Sequence, residues 1–369
     1  MKKKYIILSI IVLVLLITFV TSFNYFKTSN NYVEDSVNNQ TKIIKGISMN
    51  LEQTAGAGDY KTVTQSSWPT EGYKFNTELS RCENGSTLSW DDSKKAVVMN
   101  GNVSDKCYVY FDKVLTLANY VISQYTGIQG ENSLYYHDSN LANGVGDNSY
   151  RYAGASDSVN NYICLGSDAA TCPDDNLFRI IGVFGAQTKV IRAKSVGNQK
   201  WDTSSSNKWS SSSLNTYLNG TYLTSLGTLK NKIATTTWKV GGGTPANISE
   251  VVPATAYKNE VGSSASRTIV NKKIGLMYVT DYYYSASPSA WTLVGYNSSD
   301  TTKDYRVAKT INWLYLGSYE WTISCHSGTS YSAFGVGNLG YVSGYFDVST
   351  SSAVRPTFNL ESSVKYVSG

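Results

Sequence analysis

The chain is 369 residues long with a formal charge of +5, and is 41% hydrophobic and 13% aromatic, enough to bury cores in about two folded units. Only 16% of its residues are charged while tyrosine occurs 29 times, a balance that points to an exported β-rich protein rather than a cytosolic enzyme. Lys2-Lys3-Lys4 is the one basic run, which excludes a clustered nucleic-acid-binding face.

Residues 1–4 are a basic tip ahead of an apolar segment, Tyr5 to Phe23, in which Ser9, Thr18, Thr21 and Ser22 are the polar residues. About 20 such residues span a bilayer as a helix, and the lysines hold the tip inside. The expectation is a single-pass signal-anchor in the cell membrane with the bulk of the chain outside. The rival is a signal peptide cleaved at Val20-Thr21-Ser22, which would give a secreted protein; the length of the run favours the anchor. Residues 24–58 read as a partly helical stalk, with Val33, Val37, Ile44, Ile47 and Leu51 on one stripe and Ala55-Gly56-Ala57-Gly58 as a hinge. A disordered spacer is the alternative. The stripe is too short to set an oligomeric state.

Residues 59–113 have the pattern of a small all-β module. Short apolar runs at 73–75, 87–90, 96–99 and 107–111 alternate with turn clusters, and Asn100-Gly101 is a hairpin signal. Cys82 and Cys107 are expected to bridge it, because export permits disulfides and so small a unit has a thin core.

From residue 114 to 369 the pattern is α+β. Asp112 caps a helix carrying Val114, Leu117, Ala118, Val121 and Tyr125. The polar stretch that follows holds His137, Asp138, Asp147, Arg151 and Asp157; it is either a metal site, calcium first, or a hydrogen-bonded loop. Its spacing matches no zinc or EF-hand pattern, so no cofactor or metal ligand is assigned. Cys164 and Cys172 close a disulfide loop. Phe178–Phe184 and Lys189–Lys194 form a hairpin, and Ser210–Ser213 cap a helix with Leu214, Tyr217 and Leu218 buried and Asn219-Gly220 as its stop. Leu223, Leu226, Leu229 and Ile233 suggest further helical turns. Lys273–Thr280 reads as a strand running into Asp281-Tyr282-Tyr283-Tyr284.

The last third carries the functional expectation. Strand-like pieces at 320–324, 333–336, 341–342 and 353–360 are joined by Ser/Gly/Tyr/Asn loops, the chemistry that binding surfaces favour. On composition alone this is either a displayed recognition face or a surface hairpin. The outward topology favours the face, with Tyr283, Tyr284, His326, Tyr331, Phe334, Asn338, Tyr341 and Tyr345 as ligand-binding candidates and 296–300 as a further loop. Trp321, Arg355 and Pro356 read as scaffold.

The order WSSSSLNTYLNGTYL (209–223), KIGLMYVTDYYY (273–284), EWTIS (320–324) and AVRPTFNL (353–360) resembles a bacterial surface-protein family whose domain is similar to the C-type-lectin-like fold. Sulfatase-modifying (formylglycine-generating) enzymes and retroelement-diversified receptors share that fold. The stretches YKFNTELSRCENGSTLSW and SDKCYVYF resemble a module that recurs ahead of such domains in Gram-positive bacteria. The resemblance implies a C-type-lectin-like C-terminal domain, preceded by the disulfide-bridged all-β module and the N-terminal transmembrane helix, with binding loops after the tryptophan strand. The chain departs from calcium-dependent lectins, since Glu-Pro-Asn, Gln-Pro-Asp and Trp-Asn-Asp are all absent. It is therefore expected to be a membrane-anchored extracellular binding or adhesion protein with a protein or glycan ligand and no assigned catalytic residue. The alternatives are a secreted enzyme related to formylglycine-generating oxidases that uses Cys325, and a structural cell-envelope subunit. Cys325 and His326 are adjacent, so on a strand they point to opposite faces and are not a ready thiolate–imidazole pair.

Overall fold

The computed structural model describes residues 46–64, 67–69, 72–167, 169–262, 268–293 and 308–366. The expected signal-anchor at 5–23 and the loop at 296–300 lie outside these residues. The chain divides into two compact units, Met1–Leu115 and Thr116–Gly369.

In the first unit the strands are β1 (Ile47–Glu52), β2 (Tyr60–Val63), β3 (Tyr73–Phe75), β4 (Arg81–Cys82), β5 (Thr87–Asp91), β6 (Ala96–Asn100) and β7 (Cys107–Lys113). Strand β7 shows why: Cys107, Val109 and Phe111 are buried, while Tyr108 and Tyr110 between them are half-buried, the period-two signature of a strand with one covered face. It is the hub of a sheet ordered β2-β1-β7-β3, with β4 also paired to β7. Met49, Leu51, Phe75 and Val97 complete the core. The disulfide Cys82–Cys107 joins β4 to β7 across a separation of 25 residues, and closing such a loop in the unfolded chain is worth about 3 kcal/mol in the chain-entropy picture.

Two expectations for this region are corrected. Ile47 and Leu51 lie on β1, parallel to β7, rather than on a helical stalk. Ile47, Met49 and Leu51 alternate, so a spacing of four fits a strand as well as a helix, and the open edge of β7 decides between them. Asn100-Gly101 is not the hairpin turn. Strands β5 and β6 turn through Asp91–Lys95, where the Asp91 carboxylate accepts from the Ser93 and Lys94 amides.

In the second unit a short helix α1 (Leu117–Ser123), capped by Thr116 and not by Asp112, precedes β8 (Leu134–His137), β9 (Ser149–Tyr152), β10 (Tyr162–Cys164), β11 (Leu177–Phe184) and β12 (Gln187–Arg192). Next come β13 (Asn198–Lys200), helices α2 (Ser213–Tyr217) and α3 (Leu223–Ser225), and β14 (Thr236–Lys239). Helices α4 (Pro245–Ile248) and α5 (Pro253–Glu260), β15 (Ile269–Lys272), α6 (Val279–Tyr284) and α7 (Ala308–Ile311) follow. The chain ends in β16 (Glu320–Cys325), β17 (Ser332–Val336), β18 (Val342–Asp347), β19 (Ser351–Ala353) and β20 (Thr357–Asn359). One sheet runs β20-β12-β11-β9-β8 with β10 on β11; a second runs β13-β19-β16-β17-β18; β14 and β15 pair separately. The hairpin expected at 178–194 is β11–β12, turning at Gly185, whose φ of +60 is easiest for glycine. Cys164–Cys172 is bridged.

The expected fold class is corrected here. The described residues form mixed sheets with few helices, the longest being the eight residues of α5, and not the expected C-type-lectin-like α+β arrangement. Among them no helix is long and apolar enough to cross a membrane. Local propensity misleads at three places. The stretch 273–280 is extended only as far as an isolated bridge, Gly275 to Thr357, and then coils into α6. There the Glu260 carboxylate accepts from the amides of Val279 and Thr280 and Asp281 accepts from Tyr278, so buried acids cap a helix that Val, Thr and Tyr would not start alone. Gly220 does not stop α2, since the chain continues through a wide turn, Leu218–Tyr222, into α3. Finally, 353–360 is two strands in two sheets: β19 beside β16, and β20 beside β12.

Arg355 holds that change of sheet. Its guanidinium donates to both oxygens of Glu320, at 2.6 and 2.8 Å, and to the carbonyl of Leu314, with Arg355 and Glu320 both buried. The rings of Trp201, Trp209 and Trp321 pack edge to face beneath the second sheet. Arg355 thus fixes β16 at its Glu320 end, while the candidate site projects from the opposite end, after Cys325.

Candidate functional site

All six residues of β16 are buried, so the strand is a rigid platform, and the loop 326–331 that joins it to β17 is held by one amide. Asn207 Nδ2 lies 2.7 Å from the carbonyl of His326, 2.7 Å from that of Thr329 and 2.8 Å from that of Ser332. Its backbone amide donates to Ser330. Asn207 is in turn presented by Asp202, whose carboxylate accepts from the amides of Ser204, Ser206 and Ser213. On the other side Val240 and Gly243 receive hydrogen bonds from the amides of Cys325 and Ser327. A Cβ at Gly243 would lie 2.4 Å from Cδ1 of Ile248, so the Ile248 side chain would have to shift to admit any larger residue.

Between these walls is a cleft of about 430 Å³ lined by residues 207–210, 240–242, Thr268 and 325–330, within the range of small-molecule sites. His326 is only 7% exposed. Its Nδ1 accepts the Gly328 amide at 2.8 Å, which places the proton of the neutral ring on Nε2. Burial holds its pKa below the ordinary histidine value, so at neutral pH the ring is an uncharged Nε2–H donor. Among the described residues that nitrogen has no partner, and neither do the buried Trp209 Nε1 and Thr329 Oγ1. Three lining residues therefore each carry a buried polar group without a protein partner. A dry, unpaired group of this kind costs about 1–3 kcal/mol.

The His326 ring stacks with Phe334 (centroids 6.3 Å) and lies tilted to Tyr345 (5.2 Å), two rings outside the lining of the cleft. Cys325 does not pair with it. The thiol accepts from the Trp209 amide, and burial, the larger effect, pushes its pKa up to about 12. A thiol that stays protonated at neutral pH is a poor nucleophile.

The eight sequence-predicted ligand residues separate into three groups. Tyr283, Tyr284 and Phe334 are corrected to core positions: all are at most 1% exposed, and the two hydroxyls donate to the carbonyls of Ile248 and Asn143. An apolar-faced helix and a strand with both faces covered swallow them, which a Tyr-rich sequence does not reveal. His326, Tyr331 and Tyr345 are brought together at the cleft end of the β16–β18 hairpins, with Tyr331 55% and Tyr345 65% exposed. Asn338 is exposed and Tyr341 half-buried at the opposite end, where the Asn338 carbonyl accepts from the Tyr315 hydroxyl. Sequence reasoning missed Asn207, Lys208, Trp209 and Thr268. The run Gly241-Gly242-Gly243 was the available signal for a close approach of backbones.

In the polar stretch after α1, Asp147 pairs with Arg151 at 2.6 Å and accepts from the Tyr257 hydroxyl at 2.7 Å, and Asp138 accepts from the amides of Asn140 and Leu141. Their oxygens are engaged in holding the loop. Among the described residues no group of three or more His, Cys, Asp or Glu side chains is placed to hold a metal ion.

Residues 186–362 match the family model described as a domain of unknown function (DUF6273), and the whole lining of the cleft falls inside the match. No curated protein and no solved structure matches the chain.

Proposed function

We propose that the chain is an exported binding protein whose ligand, a glycan, enters the cleft under loop 326–331. The observation that carries this is the set of three buried, unpartnered groups on His326, Trp209 and Thr329 around one opening. The Trp209 indole is an obligate N–H donor, His326 Nε2 is a donor in the tautomer set by Gly328, and the third is a hydroxyl, so the complementary ligand is rich in hydroxyl and carbonyl oxygens. The exposed Tyr345 ring, which contacts His326 outside the cleft lining, would offer a ring face to an apolar sugar face. Export is supported by the two disulfides, which persist in oxidising compartments, and by the apolar segment at 5–23. The protein then works at the cell surface or after release.

The test is capture of the purified full chain on a panel of immobilised neutral and acidic oligosaccharides, wild type beside Thr329→Val and Tyr345→Ala. Capture by the wild type and its loss in both variants supports the reading. No capture of any glycan, or undiminished capture by both variants, refutes it.

A further inference from the structure

A second cavity, of about 200 Å³, lies in the same unit, lined among others by Arg151, Lys189, Trp238, Tyr257, Tyr278 and Asp281. Lys189, on β12, is 5% exposed, and its Nζ lies 2.5 Å from Asp281 Oδ2. Rings close around the ammonium: Tyr278 at 4.6 Å, Phe184 at 5.5 Å and Trp238 at 5.6 Å. An ammonium carries three donors, yet among the described residues Asp281 is its one hydrogen-bond partner. The contrast is Arg355, whose buried charge is matched by three hydrogen bonds. Burying a lysine–carboxylate pair carries a desolvation cost that one hydrogen bond and the ring faces only partly offset; an amide between the same two groups would remove both charges.

The partners are also fixed in place. Asp281 Oδ2 accepts from the Tyr278 amide at 2.8 Å, which anchors the carboxylate in the first turn of α6. Lys189 projects from a strand paired on both sides, with β11 and β20. A third buried group, the Glu260 carboxyl, caps the same helix start, with its oxygens engaged by the amides of Val279 and Thr280 and the hydroxyls of Thr280 and Ser324.

We propose that Lys189 and Asp281 are the two halves of an intramolecular isopeptide bond. A proton passes from the Lys189 ammonium to the Asp281 carboxylate, giving a neutral amine and a neutral acid. The Nζ lone pair attacks Asp281 Cγ and the N–C bond forms. The Cγ–OH bond then breaks, and the hydroxyl takes a second proton from nitrogen and leaves as water. One ammonium and one carboxylate thus become one amide and one water, with no oxidant or activating group consumed. Burial supports the first step, since it lowers the pKa of Lys189. Two groups held in contact react with an effective concentration that free partners cannot reach, and an apolar, ring-lined site favours the uncharged product. The bond would tie the first sheet to α6 across 92 residues of chain and, unlike the disulfides, would survive reductant.

The experiment is peptide mass mapping of the full wild-type chain after reduction, denaturation and tryptic digestion. The expected result is one species joining the Lys189 and Asp281 peptides, lighter than their sum by one water, with no cleavage after Lys189. Lys189→Arg and Asp281→Ala should each abolish that species. Two separate peptides of full mass with cleavage after Lys189 in the wild type overturn the proposal, however the variants fold. Glycan capture is read independently of this result.

Discussion

Arg355→Met is the substitution that most sharply probes how the second unit is held together. It leaves the Glu320 carboxylate buried at 1% exposure with both guanidinium hydrogen bonds and the charge that offsets it removed, and frees the Leu314 carbonyl. Breaking a buried pair from one side destabilises by about 3–5 kcal/mol, more than the net worth of the pair, because the abandoned charge remains in the core. Removing both partners should therefore hurt less than removing one. In Glu320→Leu/Arg355→Met the loss should shrink to about 1–2 kcal/mol, with the unsatisfied Leu314 carbonyl as the residue of the cost. The assay is urea unfolding followed by tryptophan fluorescence, which reports the Trp201, Trp209 and Trp321 cluster next to β16. A single mutant within 1 kcal/mol of wild type, or a double mutant no better than the single one, would refute the view that this pair clamps the crossing from β19 to β20.

Three further outcomes follow from the same geometry. The Asp147 carboxyl is pushed up by burial but pulled further down, to about 2, by Arg151, Ser149 and Tyr257. Its folded pKa is depressed, so about 2 kcal/mol of stability should be present above pH 4 and lost as pH falls towards 2, and acid melts of Asp147→Asn should show a flatter decline. Native protein should leave Cys325 unlabelled by a thiol reagent at pH 7 and expose it only on unfolding; rapid native labelling would contradict its burial and raised pKa. Tyr284→Ala should destabilise by about 3–5 kcal/mol as a core truncation, whereas Tyr331→Ala should change stability by less than about 0.5 kcal/mol, both read by thermal melts.

How much of this was legible in the residues depends on how local the cause is. The β11–β12 hairpin is announced by FRIIGVF and KVIRAK around a glycine turn, and both disulfides follow from the cysteine spacing. Strand β7 declares itself by alternation. The capping of α6 does not, because Glu260, the acid that holds the amides of Val279 and Thr280, is some twenty positions upstream. The split of 353–360 between two sheets is set by Arg355 and Glu320, which only the fold brings together. At the site, His326, Tyr331 and Tyr345 could be picked out as loop residues of binding chemistry. Asn207 could not, since its role is to span three carbonyls of a loop more than a hundred residues away.

The most direct measurement on the cleft is a pair of titrations on Thr329→Val and wild type: unfolding free energy without ligand, and affinity for a glycan captured by the wild type. Valine keeps the shape and removes a buried hydroxyl that has no partner among the described residues. Stability should be unchanged or higher, and the dissociation constant should rise about tenfold, the equivalent of one hydrogen bond of about 1.4 kcal/mol. A loss of stability with unchanged affinity would mean that the hydroxyl serves the fold, and would contradict the assignment of this cleft as the binding site.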